Sequence, residues 1–436
     1  MPYWFVKKEP GGTDDYDMRN SVFRRQIDRF LVVALLAGAA SGVWGQDSAA
    51  AGDPVMFRYG YREGEQYRIV GVNRQQLFVD GERRGESEIL TRIRLRVGVP
   101  GDRDGASGAP ISAEYRVSEE SRDTDQPFSV DRDYSVEIWQ DARGRQTVPD
   151  GSFVPQVRDV PVFPEDPVAP GDTWSAAAAE VYDFRDGLGI DEPVVVPVEV
   201  SYEYLGPREF EGRTYDAIHI RYALFYRPAP GRPEAEHIRV ITARFDQDLL
   251  WNRRAGRAHY YEESYNLFMQ TSDGSRLEYR GEADGRVVGA PELDRAEVQR
   301  EIEDAIARDA IADTSVRSDE EGVTIALENI QFAPDSAELL ESETAKLEWL
   351  GRLLQDYPDR DLLISGHTAM AGTASGRQEL SEERAASVGQ WLIEHGVRDR
   401  SQLMYRGFGA RRPLGDNNTV EGRSRNRRVE ITILEN

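Results

Sequence analysis

"GHTAMAGTASGRQELSEERAASVGQWL", residues 366–392, decides how the C-terminal part of this chain is read. Its first half has the small and polar residues of a loop laid out for a charged ligand. Its second half spaces apolar residues as a helix does. Ser381 suits the N-cap of that helix, Glu382 and Glu383 favour the positive end of its dipole, and Gly396 suits the C′ position. One position is out of character. After Gly366, His367 and Thr368 comes Ala369, a methyl group in a loop otherwise suited to charge.

The neighbouring segments complete a domain. "EGVTIALENIQFAPDSAEL" (321–339) reads as a strand and then a turn, and "SETAKLEWLGRLLQDYP" spaces Leu347, Leu350 and Leu354 helically before Pro358. "RDLLISGH" is a buried strand before the loop, while "QLMYRGFG" and "RRVEITIL" are strands after the helix. This order gives an α+β sandwich, a mixed sheet with helices on one face. Upstream, "PELDRAEVQREIEDAIARDAI" sets Val298, Ile302 and Ile306 four apart, a narrow helical stripe that predicts a bridging helix. The stripe is too short to sustain a coiled-coil seam.

From about Gly52 to Ala290 the pattern is all-β. "TRIRLRVGV" alternates strictly, with Ile93, Leu95 and Val97 on one face and Arg92, Arg94 and Arg96 on the other. Asp80-Gly81 and Asp273-Gly274 are hairpin signals, because a tight type I′ turn needs positive φ at both central residues, and Arg143-Gly144 marks a third turn. The Pro-rich "VPVFPEDPVAPGDTW" (160–174) interrupts the strands, since proline cannot donate to a ladder. The chain is therefore expected to be multidomain: a β-rich domain over 46–164, a second over 165–290, a linker helix over 291–321 and the sandwich over 322–436.

Residues 1–45 are expected to be a signal peptide with a doubtful 17-residue prefix. Arg19, Arg24, Arg25 and Arg29 precede the apolar run Phe30 to Ala40, and Val43-Trp44-Gly45 forms a small-residue end before Gln46. The run is too short to span a bilayer comfortably. Met18 is the expected translation start, and the mature chain is expected to be exported.

The 436 residues carry a net charge of −24, which argues against nucleic acid as a partner. Nearly all the positive charge is arginine, whose planar fork pairs bidentately with carboxylates. The absence of cysteine excludes disulfides, thiolate metal sites, cysteine nucleophiles and a lipidated N-terminal cysteine. The five histidines, His219, His237, His259, His367 and His395, form no H-E-x-x-H or comparable metal spacing. His259 stands near Glu262 and Glu263 in a strand-like segment, which reads as a surface ladder. There is no G-x-S-x-G and no P-loop, so an enzyme is not expected.

Taken together and in order, "IQFAPDSAEL", "ISGHT", "LSEERAASV", "YRGFGARRP" and "EGRSRNRRVEI" make residues 322–436 resemble the OmpA-like peptidoglycan-binding domain. The mature chain as a whole, including "VRDVPVFPEDPVAPGDTW", resembles spirochaete-type OmpA-family envelope proteins. The resemblance implies a non-catalytic, periplasmic and outer-membrane-associated protein that grips the peptide stem of peptidoglycan and uses no cofactor. Outer-membrane or periplasmic proteins are the partners to be expected of the β-rich region. The family's usual loop is Gly-His-Thr-Asp, with an arginine fifteen positions beyond that aspartate, a pair suited to the carboxylate and amine of diaminopimelate. Carried over by position, the arginine is Arg384, the aspartate is Ala369 and the family's usual asparagine is Arg377. His367 and Thr368 support the loop, Asn426 orders the entry to the last strand, and at most one of Arg427 and Arg428 reaches a ligand, because neighbours on a strand point oppositely. The substitutions leave an anion receptor: Arg384, expected near a helix N-terminus, would hold a stem carboxylate, and a ligand ammonium would meet no acid. Two other readings stand beside this one. Arg384 pairs with Glu382 or Glu383 in a domain that has lost its ligand and serves as a scaffold, or the β-rich region is an outer-membrane barrel carrying a periplasmic wall-binding domain.

Overall fold

The computed structural model describes residues 54–121, 128–129, 132–289, 293–332 and 336–435; the expected signal peptide lies outside these residues. Ten long strands build the N-terminal part: β1 (Gln66–Val79), β2 (Glu82–Val97), β3 (Ala106–Ser121), β4 (Arg132–Asp141), β5 (Thr173–Tyr182), β6 (Val194–Phe210), β7 (Arg213–Tyr226), β8 (Ile238–Asn252), β9 (Arg257–Thr271) and β10 (Arg276–Gly289). With three short strands they form one 13-stranded sheet in the order β4-β3-β2-β1-β10-β9-β8-β7-β6-β5. Every pairing is antiparallel, including β1 with β10, which joins the first strand to the last. Strands from both sides of Pro164 thus share one sheet, and the division expected there does not separate two sheets. The start of the Pro-rich connector is buried instead, with Val160, Val162 and Phe163 at 6%, 1% and 0% exposure, and Phe163 packs under the sheet against Phe57 and Trp251.

The turns follow the local chemistry. Asp80 and Gly81, between β1 and β2, have φ of 52° and 86°, as a type I′ turn requires. Asp273-Gly274 departs from that expectation: only Gly274 has positive φ. The Asp273 side chain instead accepts from Ser275 N (3.0 Å), and Gly274 N bonds to Thr271 O (3.1 Å), which widens the turn.

Strand alternation decides what faces inward. In β6 the buried residues are Val194, Val196, Val198, Val200, Tyr202 and Tyr204, every second position. The edges of the sheet curl toward each other without pairing. Tyr134, on β4, donates to Asp183 Oδ2 just past β5 (2.9 Å), and Arg145 donates to Ala177 O on β5 (2.9 Å). The result is a nearly closed, barrel-like sheet filled by apolar side chains.

The C-terminal domain has strands β11 (Thr314–Asp319), β12 (Gly322–Glu328), β13 (Leu362–His367), β14 (Leu403–Gly407) and β15 (Arg428–Leu434), with helices α1 (Arg295–Asp309), α2 (Thr344–Leu354), α3 (Ala374–Glu394) and α4 (Val420–Asn426). The sheet order is β11-β12-β15-β13-β14, with the short segment Phe128–Ser129 from the N-terminal part added beside β14; β13, β14 and that segment run parallel, and the other three pairings are antiparallel. The expected α+β sandwich with a mixed sheet is present, enlarged by β11 and α4. Helix α1 is more than a bridge, because Val298, Ile302 and Ala305 enter the same core as Leu347, Leu350, Ile364 and Val388. Leu363, Met404 and Leu434 point to the opposite sheet face and form a separate small cluster.

The two sheets meet on that helix-free face. Strand β2 is buried on both sides from Ile89 to Ile93, with Leu90 at 0% and Arg92 at 7% exposure. Ile93 faces the interior of its own sheet, whereas Arg92 reaches Asp361 at the start of β13 (2.9 Å). The arginine stripe read in "TRIRLRVGV" is therefore largely an internal docking face.

Candidate functional site

Helix α3 frames the site and begins earlier than expected. Thr373 is its N-cap, accepting from Gly376 N (3.1 Å). Ser381 lies inside the helix at 0% exposure, where its hydroxyl donates to Gln378 O (2.7 Å) and accepts from Gly409 N (2.9 Å). It ties the helix to the loop after β14 and caps nothing. Arg384 is consequently in the middle of α3, away from the helix N-terminus, and the dipole contribution expected there does not apply to it. Arg377 occupies the first turn instead, two turns before Arg384 and on the same helix face.

Gly366 explains how α3 lies so near the sheet. A Cβ at this position would overlap the Ser381 carbonyl oxygen, so only glycine permits the approach. Gly366 faces the helix, and its neighbour His367 therefore faces the other way. His367 is 2% exposed, stacks on Phe408 with centroids 5.2 Å apart, and sets Nε2 3.6 Å from Glu430 Oε2. Burial lowers its pKa, which keeps the ring neutral at pH 7.

Glu430 is the centre of a polar network on this face. It accepts from Arg428 Nε (2.7 Å) and Arg317 Nη2 (2.8 Å). Burial opposes its ionisation, but His367 and the Arg428 guanidinium outweigh that effect and hold the carboxyl at about 2. Sequence reading missed this network. The available signal was the alternation in "RRVEITIL", where Arg428, Glu430 and Thr432 share the face opposite Val429, Ile431 and Ile433. All seven residues of β15 are buried, because both faces are covered.

The remaining candidates sort by exposure. Thr368 and Ala369 are buried, at 6% and 7% exposure, and Thr368 N donates to Gly409 O (2.9 Å). The loop continues through Met370, 59% exposed, whose N–H bonds to Asn417 Oδ1 (3.0 Å). Asn426, at 1% exposure, accepts from Leu414 N (2.7 Å) and Gly415 N (2.9 Å) and donates to Gly415 O and Asn417 Oδ1. It organises the 414–417 loop rather than the entry to β15.

Three half-buried guanidinium groups remain. Arg377 donates to Gly372 O (2.6 Å) and so touches the loop that carries Ala369. Arg384 donates to Ser336 O (3.3 Å) and lies over the Phe332 ring, 4.7 Å from its centroid. Arg427 has no side-chain partner among the described residues, whereas Arg428 is consumed by Glu430. Two nearby carboxylates are engaged elsewhere: Glu382 accepts from Gln378, and Glu328 pairs with Arg425 (3.1 Å). Among the described residues, no group of three or more acidic or histidine side chains is arranged to hold a metal ion.

A mixed sheet with α3 crossing close above a Gly-His-Thr loop defines the class: the C-terminal domain belongs to the OmpA family, whose model matches residues 331–427. Particular relatives follow. The chain is 34% identical over 136 residues to the probable lipoprotein YiaD of Escherichia coli (strain K12), a match covering 30% of this chain and 62% of that protein. It is also 34% identical over 104 residues to the peptidoglycan-binding protein ArfA of Mycobacterium bovis, covering 24% of this chain and 32% of that one. Among solved structures, an outer membrane protein from Borrelia burgdorferi B31 matches at 33% identity, covering 28% of this chain and 96% of the other with a TM-score of 0.24. The chain spans less than two thirds of the length of both curated relatives, and all three matches leave most of it uncovered.

Proposed function

We propose that this chain is an exported, non-catalytic envelope protein whose C-terminal domain binds peptidoglycan and tethers the outer layers of the envelope to the wall. The relatives named as a lipoprotein, a peptidoglycan-binding protein and an outer membrane protein support that setting. The observation that carries the specificity is the replacement of an acid by a methyl at Ala369, beside a loop held by the Arg377 guanidinium. The site offers arginines and no uncommitted carboxylate among the groups above. It favours a stem peptide that presents a carboxylate with no free ammonium beside it, as in diaminopimelate whose side-chain amine is acylated by a cross-link. Arg384 and Arg427 are the contacts for that carboxylate, and His367, Thr368 and Asn426 shape the loops.

Sedimentation with purified sacculi tests the tether. Wild type is expected to co-sediment, and Arg384→Ala to bind about 10- to 100-fold more weakly, the effect of losing one charge-assisted contact worth ~1.5–3 kcal/mol. Isothermal titration with diaminopimelate-type muropeptides whose side-chain amine is free or acylated tests the specificity. A preference for the free amine would overturn it, and no binding to either would favour the scaffold reading.

An outer-membrane barrel is disfavoured by the outward side chains of the large sheet. On β10 they are Arg276, Glu278, Arg280, Glu282, Asp284 and Arg286, while Leu277, Tyr279 and Ala283 point inward. A lipid-facing wall has the reverse polarity, and each arginine at mid-bilayer costs about 2–4 kcal/mol. Among the described residues no helix is long and apolar enough to cross a membrane. Release by carbonate extraction is the expected behaviour; retention in the membrane would support the barrel.

A further inference from the structure

Where the two sheets meet, a small cavity of about 50 Å3, open to solvent on one side, lies between the outward face of β1–β3 and the helix-free face of the C-terminal sheet. Met404 and Leu434 form its apolar wall. Its polar wall sets Arg68, Arg92, Arg94 and Arg116 against the carboxylates of Asp361, Glu114, Glu321 and Glu435. Arg68 Nη1 and Arg92 Nε both reach the same oxygen of Asp361, Oδ2, at 3.0 and 2.9 Å, and Arg92 Nη2 also donates to Ser401 O. The other carboxylates lining the cavity each have a guanidinium of their own. Glu114 pairs with Arg94 (2.6 Å), Glu321 with Arg116, and Glu435 with Arg295 (3.2 Å). Two guanidinium groups sharing one carboxylate leave one positive charge in excess.

The same two residues have hydrogen-bonding capacity to spare. Arg68 Nε and Arg92 Nη1 are buried and find no acceptor among the described residues. Arg92 is 7% exposed and Asp361 6%, so bulk water does not compensate them. Buried N–H groups without acceptors are costly, and an excess buried charge more so. A single-atom anion resolves both deficits at once, because it accepts from several N–H groups and carries one negative charge. A water molecule resolves only the first.

We propose that this cavity holds one halide ion, chloride under physiological conditions, bound by Arg68 and Arg92, and that the ion is part of the joint between the large sheet and the C-terminal domain. The site is unrelated to the Ala369 loop, so its test is independent of wall binding. Bound only when the two sheets are docked, the ion stabilises the docked form in proportion to its concentration.

The experiment uses the full mature chain and measures thermal unfolding in sodium chloride against sodium gluconate at equal ionic strength. Gluconate is too large for the cavity. A melting temperature higher by roughly 2 °C or more in chloride is expected, and Arg68→Gln, which removes the excess charge, is expected to abolish the difference. Crystals grown in bromide supply a second readout that needs no variant: an anomalous peak within hydrogen-bonding distance of Arg92 Nη1. Equal melting temperatures in the two salts, or a water in the cavity with no anomalous signal, would overturn the proposal.

Discussion

Glu180, inside the large sheet, and Glu430, in the C-terminal sheet, are both nearly out of water, at 5% and 4% exposure, but they hold their protons differently. Glu180 meets Tyr222 Oη at 2.6 Å, with Glu263 across the interior as its electrostatic neighbour. Burial pushes it up to about 7, against an ordinary value of 4.5, and burial also raises Glu263 well above its ordinary range. Glu430 sits between Arg428 and Arg317 and stays ionised down to about 2. Burial is common to both. The difference is the guanidinium: Glu180 meets a tyrosine hydroxyl, whereas Glu430 meets two arginines.

The largest expected effect comes from breaking the paired centre. Glu430→Gln leaves the buried Arg428 without a carboxylate, while Arg317 keeps Asp319 at 2.9 Å, and a loss of about 3–5 kcal/mol in urea unfolding is expected. A loss below about 1 kcal/mol would mean Arg428 finds water and the centre is not closed.

Next in size is the opposite pH response of the two regions. Glu180 keeps its proton in the folded protein where the unfolded chain has lost it. Its contribution is full below about pH 4.5 and is lost as the pH rises through about 7, a total of roughly 3 kcal/mol. Glu430 contributes above about pH 4.5 and loses that contribution as the pH falls through about 2. Denaturant melts followed from pH 4.5 to 8 are expected to show falling stability in wild type and a flatter profile in Glu180→Gln. An unchanged profile would remove the contrast.

Gly366→Ala probes the packing of α3 against β13. The added methyl overlaps the Ser381 carbonyl, and a cost of about 1–3 kcal/mol is expected together with weaker binding to sacculi, since the same strand carries the Ala369 loop. The smallest effect belongs to the outer face. Arg74 pairs with Asp284 at 2.8 Å, both about 40% exposed, and Arg74→Ala is expected to cost less than about 1 kcal/mol, with the difference shrinking in salt.

Much of the fold was legible because local rules and the global answer agree. The strict alternation of "TRIRLRVGV" and the Asp80-Gly81 turn gave strands and a hairpin where they occur. The separated motifs from Gln331 to Arg427 gave the C-terminal domain. Two expectations fail for a common reason. Ser381 has the chemistry of an N-cap but spends its hydroxyl on Gly409, and Thr373, eight positions earlier, does the capping. Glu263 has the look of a surface acid but faces the interior beside Gln247, its cross-strand neighbour on β8. In each case the residue's partner is remote in sequence. At the candidate site, position alone nominated Arg384 and Ala369, but it did not say that Ala369 would be buried or that His367 would turn away to Glu430.

By itself the sequence determined what is periodic and local: which segments are strands, which are helices, where hairpins turn, and that an acid is missing at 369. Only the tertiary structure decided which side of a strand meets what. Arg92 and Arg94 are surface residues by every local rule, and they became part of an internal joint because the C-terminal sheet closes over them. Periodicity separates two faces of an element, but what covers each face depends on contacts between segments hundreds of residues apart, and the charge state of a buried group depends on those contacts in turn.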